Sequence, residues 1–240
     1  MTTTILKEPS LDARIWRYID IEKLVTMLGE NMLYFPRADM LGDPWEGSVN
    51  AASLDLRERY ASQLRAEITS VSSPWHELAT LEKWPLSRQY AFVSCWHINE
   101  SESAAMWALY GRPVAIQSTF AKLKKAMGPQ GVHIGMVQYG RPPDAPFDPT
   151  DLLGPLFTKR PSFSFEQELR IVSFDDNAFH QKAKAGVGFA LRFPFDEVID
   201  AIYVAPDRFP WQRKAIATIA QKFGYTGPVK HSDMDAAPLF

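Results

Sequence analysis

The segment FSFEQELRIV, residues 163–172, alternates in a way that predicts a β-strand. One predicted face carries Glu166, Glu168 and Arg170, and the other carries Phe165, Gln167, Leu169 and Ile171. Residues two apart on a strand lie about 7 Å from each other, because the rise is about 3.3 Å per residue. Two carboxylates that close raise one pKa unless a cation such as Arg170 offsets their charge. The pattern is typical both of an acid–base site and of a solvated strand face.

The order of the predicted elements indicates the fold class. Helical spacing concentrates in the first half of the chain and short alternating segments in the second, which favours an α+β fold over a regular βαβ array. We predict a single domain over residues 1–240, with a central mixed or antiparallel sheet flanked by helices. A mainly helical insertion is predicted at about 51–85. The predicted sheet includes residues 90–96, 131–139, 165–174 and 199–205.

Composition excludes several classes of protein. The chain has 240 residues, is 46% hydrophobic and carries a net charge of −2, so it has no global basic field for nucleic acid. Its single cysteine, Cys95, permits no disulfide within the chain, which suits a reducing cytoplasm. No apolar run reaches the roughly 18 residues of a membrane span, and the N-terminus lacks a signal peptide pattern. We therefore expect a cytoplasmic protein that does not contact membranes.

Several short sequence motifs follow one another along the chain, each occurring once. They are WRY (16–18), LYFPRADMLGDPWEG (33–47), VSCW (93–96), ESAAMWALYG (102–111), VQY (137–139), Lys159 followed by FSFEQELR (163–170), and IYVAP (202–206). In this order they resemble the bacterial family classed as domain of unknown function 2971. Gly42 departs from the asparagine that usually precedes Asp-Pro in that family. The resemblance implies a prokaryotic or phage-related intracellular protein that acts in stress response or phage defence.

A second resemblance concerns chemistry. ADP-ribosyltransferases with an Arg–Ser–Glu signature carry an arginine, a serine and an E-x-E or Q-x-E motif on successive strands, and Arg17, Ser94 and Glu166-Gln167-Glu168 are similar to it in order. This implies NAD as a substrate, with Arg17 and Ser94 at the nucleotide and a pyrophosphate held by the guanidinium. Glu168 would stabilise the ribosyl cation and Glu166 would take a proton from the acceptor.

Aromatic residues beside the arginine complete the expected NAD site. Trp16 or Tyr18 would stack on the nicotinamide ring. The interval between Arg17 and Ser94 requires the inserted helical region. The acceptor, whether protein or nucleic acid, stays open.

Other interpretations remain open for the same residues. A second E-x-E at Glu100 and Glu102 fits a helix first turn, so such a motif arises readily by chance. The chain would then be a non-catalytic defence or regulatory binding module, whose Trp and Glu side chains stabilise the fold. In DPWEG, Asp43 and Glu46 fit the rim of a cleft, but a turn with Trp45 packed beneath it is favoured.

Further motifs point to packing rather than to cofactors. Met106, Trp107 and Tyr110 share one face of a predicted helix and are expected in the core. A Cys95–His97 nucleophilic pair is conceivable, although a cysteine in an apolar strand is usually inert. The histidines show no metal-ligand spacing and no phosphate-binding loop is present, so no metal is expected.

Overall fold

The computed structural model describes residues 4–67, 84–111, 113–140, 146–149, 151–175, 178, 186–206 and 209–237. The helices are α1 (Ile21–Glu30), α2 (Ala51–Glu67), α3 (Trp84–Tyr90), α4 (Ala104–Tyr110), α5 (Phe120–Met127), α6 (Phe195–Val198) and α7 (Pro210–Lys222). The strands are β1 (Arg14–Ile19), β2 (Met32–Pro36), β3 (Ala91–Ile98), β4 (Val114–Thr119), β5 (His133–Met136), β6 (Gln138–Tyr139), β7 (Thr158–Lys159), β8 (Glu168–Phe174), β9 (Gly188–Arg192), β10 (Ala201–Val204) and β11 (Val229–His231).

A seven-stranded sheet in the order β11-β10-β4-β1-β3-β8-β5 organises the fold. Its pairs are antiparallel except for β10 and β11, which run parallel. Two further pairs, β2 with β9 and β6 with β7, lie outside this sheet. The predicted α+β fold with a mixed central sheet and flanking helices is confirmed. Helix α2 falls within the range predicted for an insertion, and residues 68–83 of that range lie outside the described residues, so the insertion stays a prediction.

The strand register divides the large sheet into two faces. Directly paired residues share a face, so Trp16 of β1, His97 of β3 and Glu168 of β8 lie together. We call this the Glu168 face. Because neighbours along a strand alternate, Arg17 and Ser94 belong to the other face, here the Arg17 face.

Each face is covered by its own packing. The Arg17 face contributes Ile15, Ile19 and Trp96 to the largest hydrophobic core, which also receives α1, α5 and β2. Helix α1 begins where Asp20 accepts a hydrogen bond from the Lys23 amide (2.8 Å). The Glu168 face carries two smaller apolar clusters on either side of a buried group of charged residues.

Helix α4 confirms part of the burial prediction. Met106 and Trp107 are buried against β1, but Tyr110 is 36% exposed, so its predicted burial is wrong. Ser103 caps the helix and Gly111 ends it at a positive φ of 54°. Tyr110 lies in the last turn of the helix, directly before Gly111, and its ring lies beside His97 of the Glu168 face, with centroids 5.7 Å apart.

Candidate functional site

The segment that carries the two carboxylates is not one continuous strand. Residues Pro161–Glu166 form a 3-10 helix, Gln167 adopts a left-handed φ of 41°, and β8 begins only at Glu168. The predicted strand start at 165 is therefore wrong. Pro161 favours the helical start, and the turn at Gln167 aims Glu166 back toward the chain that precedes it. Both carboxylates are nevertheless buried and close together.

Lys159 joins the carboxylates. Its ammonium lies 2.6 Å from Glu166 Oε2, 3.1 Å from Glu46 Oε1 and 3.5 Å from Glu168 Oε2. Strand β7 delivers this lysine from just before the 3-10 helix. Three carboxylates thus converge on one buried cation, which the alternation of residues 163–172 does not reveal.

Arg170 is the second cation that contacts these carboxylates. Its guanidinium donates to Glu168 Oε1 (2.8 Å) and Oε2 (2.9 Å), to Glu46 Oε2 (2.5 Å) and to the Leu156 carbonyl (2.6 Å). It is fully buried. The predicted offset of the Glu168 charge by Arg170 is seen. We call Glu46, Lys159, Glu166, Glu168 and Arg170 the charge cluster.

The two neighbouring carboxylates have pKa values displaced in opposite directions. Burial favours the neutral form of Glu168, but Arg170 and Lys159 outweigh it and lower its pKa to about 2. Burial dominates at Glu166 and raises its pKa, even though Lys159 opposes the change. Carboxylates whose pKa values are pushed apart are typical of sites where one is a fixed charge and the other exchanges a proton.

Glu166 also differs from its partners in hydrogen bonding. Glu46 and Glu168 use both of their oxygens on Lys159 and Arg170. Among the hydrogen bonds of the described residues, Glu166 uses only Oε2, so Oε1 can accept a bond from a ligand. Glu166 Oε1 is therefore the one carboxylate oxygen of the charge cluster without a hydrogen bond or ion pair among the described residues.

Aromatic side chains pack around His97, which contacts the Glu166 backbone. The His97 ring nitrogen Nδ1 lies 2.9 Å from the Glu166 carbonyl, and burial lowers the pKa of His97, which favours the neutral ring. His97 lies between Tyr18 and Tyr110, with ring centroids 5.8 Å and 5.7 Å away. Burial raises the pKa of Tyr110, and the Glu166 charge adds to that effect. Neutral hydrogen-bonding groups thus lie close to the Glu166 backbone.

A cavity of about 250 Å³, the Trp45 cavity, opens beside Lys159. Trp45, Phe147, Lys159 and Arg160 contribute to its wall. Arg160 is half-exposed, is held by Asp43 at 3.0 Å, and lies over the Trp45 ring at 5.9 Å. The predicted turn at DPWEG forms, but Trp45 is 61% exposed rather than packed beneath it, and Glu46 is buried instead.

Arg17 and Ser94 meet each other but not the Glu pair. The Arg17 guanidinium donates to Ser94 Oγ at 2.5 Å and lies over the Trp96 ring at 5.8 Å. Both residues are on the Arg17 face, so the sheet separates them from Glu166 and Glu168. The structure does not bring the Arg–Ser–Glu pattern together on one surface.

Trp16 and Tyr18 lie on the Glu168 face but inside the packing. Trp16 donates to the Asn99 carbonyl at 2.8 Å and contacts Tyr203, with centroids 5.0 Å apart. The Tyr18 hydroxyl accepts a bond from the Ser103 amide at 2.8 Å. Exposures of 2% and 8% leave neither ring a free surface for a nicotinamide to stack on.

Cys95 shares the Glu168 face with Arg170. Burial raises its thiol pKa, and the charge of Glu168 adds to this. A thiol held in its protonated form is a poor nucleophile. Within the described ranges, no group of three or more His, Cys, Asp or Glu is arranged to hold a metal ion.

Lys159 and Tyr139 were missed as site residues by the pattern analysis. The Tyr139 hydroxyl accepts a hydrogen bond from the Glu168 amide at 2.7 Å, where β6 meets the start of β8. Both residues occur in motifs that carry the family resemblance, VQY and Lys159 before FSFEQELR. Their presence in these motifs was the sequence feature that could have pointed to them.

Comparisons with protein-family models, with curated proteins and with solved structures found no match for this chain. The resemblances to the domain of unknown function 2971 family and to ADP-ribosyltransferases remain predictions. None of the described helices has the length and apolar character needed to cross a membrane.

Proposed function

We propose that the protein is an NAD-consuming enzyme, an ADP-ribosyltransferase or glycohydrolase, in which Glu166 is the reacting carboxylate. One observation carries the proposal: Glu166 combines a raised pKa with a free oxygen, beside a Glu168 that stays ionised. A general base works best when its pKa lies near the working pH. Burial moves Glu166 in that direction.

The proposed step cleaves the bond between nicotinamide and C1′ of its ribose. The electron pair of that bond leaves with nicotinamide, and C1′ gains cationic character that the ionised Glu166 stabilises. The oxygen of water or of an acceptor hydroxyl then bonds to C1′. Its proton passes to Glu166 Oε1. The products are nicotinamide and either free or transferred ADP-ribose.

The Trp45 cavity supports a nucleotide as the substrate. Lys159 and Arg160 are among its lining residues, and the half-exposed Arg160 guanidinium can bind a diphosphate through charge-assisted hydrogen bonds. Trp45, which is 61% exposed, supplies aromatic surface against which a base or a sugar can lie. Lys159 links the cavity to Glu166 through a contact of 2.6 Å, so phosphate binding and the reacting carboxylate are neighbours.

The proposal assigns different roles from those of the Arg–Ser–Glu pattern. Glu168 has both oxygens bonded to Arg170 or Lys159, so it orients those cations rather than the ribose. Arg17 and Ser94 are not part of the proposed reaction, because they lie beyond the sheet.

A non-catalytic binding module is the second candidate. The observation that favours it is the saturation of Glu46 and Glu168 by Lys159 and Arg170, which ties the DPWEG turn to β7 and β8. Such a cluster can serve the fold alone. Either candidate is compatible with the expected role in stress response or phage defence, which stays a prediction.

Nicotinamide release from NAD by the purified protein tests the proposal. We expect Glu166→Gln to lower the rate by at least about 100-fold, the scale of losing one key group in the transition state. Glu197→Gln on α6 is the matched control, because it makes the same chemical change at an exposed site and should keep the wild-type rate.

Calorimetric titration of the folded wild type with NAD separates the two candidates. Binding without turnover, with and without added protein or nucleic-acid acceptors, would favour the module. If the wild type does not bind NAD and does not turn it over, the NAD proposal is wrong.

A further inference from the structure

A second cavity, of about 520 Å³, lies on the Arg17 face between α1, β1, β2 and β9. We call it the Arg17 cavity. Its wall is mostly apolar, and Ile19, Met27, Leu33, Pro36, Met40 and Val187 contribute to it. The volume falls within the range of about 300–1,000 Å³ that is typical of small-molecule sites. The sheet separates this cavity from the charge cluster.

Arg17 is the cation of this cavity. Within the described part of the chain, its guanidinium bonds to Ser94 and lies over Trp96, but it forms no ion pair with a carboxylate. This contrasts with Arg170 and Lys159, which are each surrounded by carboxylates. A partly buried guanidinium without a counter-ion is costly unless an anion joins it.

The Arg17 guanidinium is positively charged at neutral pH. Burial lowers the pKa of Arg17 to about 10, which still leaves the guanidinium protonated at pH 7. Its neighbours on the wall include Lys23, whose ammonium is paired with Asp20 at 3.0 Å, and the exposed Glu22 and Glu30. The two glutamates make the mouth of the cavity unfavourable for a ligand with several negative charges.

We propose that the Arg17 cavity binds a small molecule with one negative charge and an apolar body, of the class of a medium-chain carboxylate. The carboxylate would accept hydrogen bonds from the Arg17 guanidinium, a geometry that arginine favours. The apolar chain would replace water against Pro36, Met40 and Val187. This site is independent of the NAD proposal, because no residue is shared between them.

Methionine methyl groups provide a direct readout in the wild-type protein. Met27, Met32 and Met40 line the cavity, whereas Met106 and Met127 are buried elsewhere. In protein labelled with ¹³C at the methionine methyls, decanoate below its micelle concentration should shift the first three signals saturably and leave the other two in place. Decan-1-ol, which has the same chain without the charge, should bind at least tenfold more weakly.

Variants test the role of the guanidinium. Arg17→Met keeps a similar length without charge and should weaken decanoate binding by at least tenfold, while decan-1-ol binding stays unchanged. Lys122→Met is the matched control, because it removes a cation that is paired with Asp200 and does not line the cavity, and it should change decanoate binding less than twofold.

Two results would overturn the proposal. One is equal binding of decanoate and decan-1-ol to the wild type, which requires no variant to fold. The other is unchanged decanoate binding in a folded Arg17→Met protein. Similar shifts at the two buried methionines, Met106 and Met127, and at the three that line the cavity would also contradict a site at this cavity.

Discussion

Replacing Arg170 with methionine removes the cation that holds the charge cluster together. In the wild type this fully buried side chain donates to Glu168, to Glu46 and to a backbone carbonyl. Methionine fills similar space, so the cavity term is small. The main loss is that two buried carboxylates keep only Lys159 as a counter-ion. Breaking a buried ion pair from one side costs about 3–5 kcal/mol, which corresponds to a fall in melting temperature of roughly 6–20 °C for a chain of this size.

The pH dependence of this loss identifies its electrostatic cause. Ionised Glu168, with a folded pKa of about 2, stabilises the wild type at any pH above its unfolded pKa. That stabilisation is lost as the pH falls from about 5 toward 2. The variant lacks most of it, so the difference in unfolding free energy between the two proteins should be largest at pH 7 and should shrink by pH 3.5.

Urea unfolding at both pH values measures the effect. Arg213→Met, at an exposed position of α7, is the control and should change stability by less than about 0.5 kcal/mol. A loss for Arg170→Met below about 1 kcal/mol at pH 7 would refute the argument from buried ion pairs. So would a loss that is the same at pH 3.5, because packing alone does not titrate.

Three further outcomes are expected. Trp107→Ala should cost about 3–5 kcal/mol in a denaturant melt, because the ring is 5% exposed and donates to Glu102 at 2.6 Å; an unchanged midpoint would rule out a core role. Glu166→Gln should be no less stable than wild type at pH 7, since the raised pKa means that the buried charge is net unfavourable; a lower urea midpoint would contradict this. NAD turnover should fall as the pH drops through the raised pKa of Glu166, because the base must be ionised; a flat acidic limb in a rate–pH profile would count against that role.

The sequence predicted the fold class because short-range features, such as helix-capping residues and alternating segments, determine where its helices and strands begin and end. Asp20 caps α1 and Gly111 ends α4, and the alternation of residues 90–96 and 199–205 matches two strands of the large sheet. The exception lies at Pro161–Glu166, where alternation suggested a strand and a 3-10 helix forms. That helix brings Glu166 within 2.6 Å of Lys159, seven residues earlier, and the alternation of apolar and polar residues does not report such a contact.

The sequence predicted which strands carry the site residues, but not which face of the sheet each residue lies on. Order along the chain placed Arg17, Ser94 and Glu168 on neighbouring strands, which is where β1, β3 and β8 lie. Whether two such residues share a face depends on the register between the strands, and a shift of one residue exchanges the faces. The observed register pairs Trp16 with His97 and His97 with Glu168, which sends Arg17 to the other side.

A crystal structure of the Glu166→Gln protein with NAD tests the central claim most directly. The account predicts the diphosphate against Lys159 and Arg160, and the nicotinamide ribose within hydrogen-bond distance of residue 166 on the Glu168 face. NAD bound on the Arg17 face with its diphosphate on Arg17, or no bound NAD at saturating concentration, would contradict it.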